Sequence, residues 1–86
     1  MYLHLGQDTI VRDRDIIGIF DLDITSQSIR TRRYLSRAEK NGEVIAVSEE
    51  LPKSFVVTGT RGSQRVYISQ LSSATLLRRS ESSSLE

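Results

Sequence analysis

The chain has no cysteine and no tryptophan, and only one histidine and one proline among its 86 residues. Without thiols it can form no disulfide and offers no thiolate nucleophile, and one imidazole cannot build a zinc or haem site. Aromatic residues are 6% and hydrophobic residues 37% of the total, so the core is thin, and at 9.7 kDa there is room for one core only. Multi-domain enzymes are excluded. No apolar run reaches the length of a membrane helix, and no basic, apolar and small-residue leader opens the sequence; a cytoplasmic protein with no membrane contact is expected. Lysine is scarce as well. Of 12 basic residues ten are Arg, and the net charge is +1. Arg presents a planar fork of donors that fits phosphates and base edges, so the skew suits a nucleic-acid partner; an ordinary Arg-rich surface is the plainer reading.

Hydrophobic periodicity predicts strands at 2–5, 9–12, 16–20, 44–47, 55–58 and 65–71. The stretch 16–20, Ile-Ile-Gly-Ile-Phe, is apolar on both sides, which suits a central strand covered on two faces, and Gly18 allows a bulge or a close approach there. Thr25, Ser26 and Ser28 are N-cap candidates for a helix running from about 26 to 40, and Asn41-Gly42 stops it. The stretch 59–63 reads as a hairpin link, and Ser72 or Ser73 caps a short last helix through Arg79. The expected fold is α+β: a small, mostly antiparallel sheet of about six strands, one central helix and a short C-terminal helix. It forms a single domain over 1–80, followed by a Ser-rich tail at 81–86 that is too polar to pack and is expected to be disordered. A thin core makes burial against further copies of the chain a natural remedy.

Little in the chain suggests catalysis. Asp13, Asp15, Asp21 and Asp23 flank the 16–20 strand at its two ends, where solvated charge is ordinary, and no phosphate-cradling glycine motif leads into a helix. His4 is most simply a partly exposed strand residue. No catalytic residue, metal site, cofactor or small-molecule substrate is expected. The helix is more informative. Placed 100° apart, Thr31, Tyr34, Leu35 and Ala38 form an apolar stripe, while Arg30, Arg33, Arg37 and Lys40 fall on a neighbouring exposed side. Two readings stand: a solvated basic face, or a stripe that tracks a polyanion such as a phosphate backbone. Arg61 and Arg65 of the hairpin, with Arg78 and Arg79, extend that stripe only if the fold brings them together.

Four blocks, MYLHLGQD at 1–8, RDIIGIFD at 14–21, PKSFVVT at 52–58 and VYISQLSSATLLRR at 66–79, together resemble the bacterial extracellular matrix regulators of the RemA and RemB family, the RemB branch most closely. The resemblance covers nearly the whole folded chain. It implies a small cytoplasmic, non-enzymatic protein with a fold similar to the LytTR type of DNA-binding domain. It further implies self-association, as in the rings of the RemA branch, and binding of double-stranded DNA in the control of biofilm matrix genes. In the RemA branch one DNA-linked arginine precedes the long central strand; the aligned position here is Asp15, with Arg14 beside it. Others precede the strand at 55–58, where this chain has Leu51, Pro52 and Lys53, of which only Lys53 is positive. The candidate DNA contacts are therefore Arg14, Lys53 and Arg61 together with Arg30, Arg33 and Arg37. The alternative is a protein-interaction or scaffold relative with the same fold and no DNA binding, which Asp15, Leu51 and Pro52 would allow.

Overall fold

The structure is a computed structural model that describes residues 2–22, 28–60 and 62–84, with side chains up to residue 81. Strands β1 (Tyr2–Gly6) and β2 (Thr9–Arg12) form a hairpin, and a single 3₁₀ turn, Asp13–Asp15, leads into β3 (Ile16–Asp21). Helix α1 (Ile29–Lys40) is followed by β4 (Val44–Ala46), β5 (Ser54–Thr60), β6 (Ser63–Ser69) and helix α2 (Ser73–Ser84). The α+β class agrees with the sequence reading, as do the six strands and these two helices among the described residues. The strands are divided, however, between a two-stranded sheet, β1-β2, and a four-stranded sheet in the order β3-β5-β6-β4. In the larger sheet β3 and β5 are antiparallel, as are β5 and β6, whereas β4 runs parallel to β6. Thus β3, α1 and β4 form a β-α-β crossover that is split by the β5-β6 hairpin, which explains why the two strands joined by α1 end up at opposite edges.

Alternation along β5 and β6 gives the larger sheet two apolar faces. Val56 and Tyr67, which are cross-strand partners, point to the β1-β2 hairpin and α2, where they join Leu3, Leu5 and Leu76. Val57 and Val66, one residue along, point to α1 and meet Ala38, Tyr34 and Leu35. A fully buried leucine contributes about 1.5–3 kcal/mol, so Leu3, Leu5 and Leu76 anchor the first of these layers. One buried serine ties the two sheets together, and a second fixes the segment that follows β6. Ser69 Oγ donates to the Leu5 carbonyl at 2.6 Å and accepts from the Leu71 N–H at 3.1 Å, and Ser54 Oγ donates to the Leu71 carbonyl at 2.7 Å. The hairpin turn needs Gly6: its φ of 121° is open only to glycine, and the Gln70 side chain occupies the space a Cβ would take.

Several sequence expectations are corrected. Strand β3 is not central and doubly covered; it is an edge strand, and Ile17 is 64% exposed. The cause is a register irregularity between Ile16 and Gly18, which sends Ile16 and Ile19 into the hairpin-side core and leaves Ile17 outside it. The Phe20 ring folds over Gly18, 2.6 Å from where a Cβ would stand, so a side chain there would displace the ring. The hairpin link is shorter than expected, since pairing continues to Thr60↔Ser63. The last helix, capped by Ser72 accepting from the Thr75 N–H at 3.1 Å, runs past Arg79 to Ser84, so helical backbone enters the serine-rich segment.

Candidate nucleic-acid interface

Ser28 starts α1: its Oγ accepts from the Thr31 N–H at 3.5 Å, and no Gly or Pro interrupts the twelve residues that follow. The expected starting residues 26 and 27 lie outside the described part of the chain. Ala38 is buried against the sheet, with Thr31, Tyr34 and Leu35 half-buried beside it, and this fixes the rotation of the helix. Arg30, Arg33, Arg37 and Lys40 are consequently all exposed on the other side. Arg33 and Arg37 repel one another across one turn by a few tenths of a kcal/mol. Arg37 and Lys40 lie in the last turn, where the helix dipole favours cations and offsets part of that cost. Burial, and to a lesser degree the Glu43 carboxylate, raise the Tyr34 phenol above its ordinary value of 10.0.

Beside this basic face lies an apolar groove. Phe55 and Val57 of β5 form its floor, Ile17 and Phe20 of β3 one wall, and Tyr34 with Arg30 of α1 the other, enclosing about 360 Å³. The Phe20 and Phe55 rings stack at 5.0 Å with 20° between their planes, so Phe20 is held in place although it is 38% exposed. Ile29, at the start of α1, adds further exposed apolar surface.

The other predicted contacts do not join this surface. Arg14 is exposed in the 3₁₀ turn before β3, at the end of the sheet where Ile16 pairs with Thr58. Lys53 lies at the opposite end of β5, held by its carbonyl accepting from the Leu22 N–H and its N–H donating to the Ser69 carbonyl. At about 3.3 Å per residue, β5 separates Arg14 from Lys53 by roughly 20 Å. Arg61 lies outside the described residues. Arg79 extends no stripe either, since its Nη1 donates to the His4 carbonyl at 3.4 Å on the hairpin side. What the residue pattern did not reveal is Arg12, which shares a polar cleft with Arg65. No local signal shows that residues of β2 and β6 line one cleft. Among the described residues no group of His, Cys, Asp or Glu is arranged to hold a metal ion, and no helix is long and apolar enough to cross a membrane.

Residues 2–79, from the first strand of the hairpin to Arg79 of α2, match the RemA-like family, described as extracellular matrix regulatory protein A-like. This chain belongs to the RemA-like family. Extracellular matrix regulatory protein B of Bacillus subtilis (strain 168) is 40% identical over 81 residues, which cover 94% of this chain and 91% of that relative. The resemblance to the RemB branch is thereby upheld.

Proposed function

We propose that this RemA-like protein is an oligomeric, non-enzymatic regulator of matrix genes that binds double-stranded DNA, with the α1 arginines on the phosphate backbone. The observation that carries the reading is the exposed row of Arg30, Arg33, Arg37 and Lys40 on a rigid, capped helix in a member of an extracellular matrix regulatory family. A net charge of +1 per chain makes one copy a weak binder. Copies assembled side by side present the row repeatedly to one duplex and gain avidity. The apolar groove at the β3 edge supports such assembly, because it leaves Ile17 and Phe20 in water on an unpaired strand edge, with Ile29 of α1 exposed as well. Arg14 and Lys53 then act as separate phosphate contacts at the two ends of the sheet.

A second reading, a scaffold relative that does not bind DNA, is favoured by the wide separation of Arg14 from Lys53 and by the acidic Asp15 beside Arg14. Fluorescence anisotropy of a labelled duplex across a salt series separates the two. Each phosphate neutralised contributes about −0.9 to the slope of log K against log salt. Wild type is expected to bind at low salt, and the Arg30→Ala, Arg33→Ala, Arg37→Ala triple variant to show a shallower slope. No binding to any duplex at low salt would leave the scaffold reading in its place. Binding with an unchanged slope in the triple variant would keep DNA binding and remove α1 as its surface.

A further inference from the structure

We infer that the cleft between the β1-β2 hairpin and the far end of β5 and β6 is a binding site for a phosphoryl group, gripped between Arg12 and Arg65. The cleft encloses about 300 Å³, at the lower end of the range for small-ligand sites. Its polar groups come from separate parts of the chain. Arg12 stands opposite Tyr2 at the open end of the hairpin, Arg65 stands opposite Thr58, and Thr60 stands opposite Ser63. On this face of the sheet the side chains change from apolar at the Val56 and Tyr67 pair to polar at the Thr58 and Arg65 pair, within one step of the pleat. The core therefore ends there, and the hairpin overhangs a polar hollow.

The chemistry of the lining selects an anion. Guanidinium groups only donate, and two of them meet a single carboxylate, Asp15, so the lining carries a surplus of one positive charge. Among the described residues no ion pair joins Arg12 or Arg65 to that carboxylate, so both forks remain available. Thr58, Thr60 and Ser63 add hydroxyl donors; Thr58, only 7% exposed, lies at the floor, while Arg12 and Arg65 stand at the exposed rim, where each can make a charge-assisted hydrogen bond to an anion. Two planar forks with flanking hydroxyls suit a tetrahedral group with several oxygens better than a planar carboxylate. The group can come from a nucleic-acid backbone or from a free phosphorylated molecule. The site lies on the sheet face turned away from α1, so it stands independently of the α1 contact with DNA.

The test is an amide NMR titration of the intact protein with inorganic phosphate, against chloride at matched ionic strength, with adenosine monophosphate and a short duplex as further arms. Saturable shifts confined to Arg12, Thr58, Thr60, Ser63 and Arg65 are expected. The Arg12→Ala, Arg65→Ala double variant should bind phosphate about tenfold more weakly or worse. Arg65→Lys, which keeps the charge and loses the fork, serves the same comparison if the double variant does not fold. Shifts of the same amides by the duplex assign the group to nucleic acid, and shifts by the mononucleotide alone assign it to a free ligand. Shifts no greater than those with chloride, or an unchanged titration in both variants, would overturn the site. A duplex that perturbs only α1 amides while phosphate leaves the cleft untouched would also overturn it, with the proposed DNA contact intact. Phosphate in the cleft with no duplex binding anywhere would do the reverse.

Discussion

The two faces of the four-stranded sheet share strands β5 and β6, yet the core under the hairpin is sealed as far as the Val56 and Tyr67 pair, whereas the α1 side is open along β3. On the hairpin side Leu3, Leu5, Val56 and Leu76 are fully buried, and serine hydroxyls lock the layers together. On the α1 side one helix lies over β5, β6 and β4, and the edge strand β3 is left with Ile17 and Phe20 in contact with water. A core sealed in this way carries folding stability. An open face with an apolar groove beside a row of arginines is a poor use of a thin core unless something binds there. Substitutions on the two faces should therefore have unlike consequences.

The largest effect is expected from Leu76→Ala, which removes a fully buried side chain between α2 and the sheet. It should cost about 2–5 kcal/mol in urea unfolding, the usual range for a buried leucine. Ser69→Ala comes next. It leaves the Leu5 carbonyl and the Leu71 N–H without their buried partner and should cost about 1–3 kcal/mol, with little change in the urea dependence. On the open side, the Arg30, Arg33 and Arg37 triple alanine variant should change stability by no more than about 0.5 kcal/mol, since the arginines are exposed and alanine relieves their repulsion. A loss of several kcal/mol there would show that these side chains hold the helix in place.

The smallest effect concerns alkaline pH. In the folded chain the Tyr34 phenol holds its proton more tightly than in the unfolded chain, where it titrates near 10.0. Above that pH the unfolded state carries fewer protons than the folded one, so this group's contribution to stability falls as pH rises. Below it the two states are equally protonated at this position, and the contribution is flat. Tyr34→Phe should make the loss of stability above pH 10 less steep and leave the neutral range unchanged, as read from melting temperatures across the alkaline range.

What could be read from residues follows from how local the cause is. The strand at 55–58 and the face of α1 are set by periodicity and by Ser28, and both came through. The position of β3 was misread, because an apolar run on both sides of a strand looks the same whether its second face meets a helix or a neighbouring molecule. The bulge at Gly18 adds a displacement that alternation alone does not reveal. The three helix arginines were legible as one surface because they share one element. Arg14 and Lys53 were grouped with them by analogy, although β5 holds them at opposite ends. Arg12 and Arg65 come together only because the two sheets meet, a long-range fact with no local signature.

The contrast between the sealed core under the hairpin and the open apolar groove beside α1 is tested most directly by Ile17→Asp. Ile17 is 64% exposed in the isolated chain, so the substitution should leave the melting temperature nearly unchanged while placing a charge in the apolar groove. Light scattering at micromolar concentration should find the wild type as a multimer and the variant as a particle near 9.7 kDa. A wild type that stays at that mass over the accessible concentration range, or a variant that assembles as the wild type does, would contradict the account.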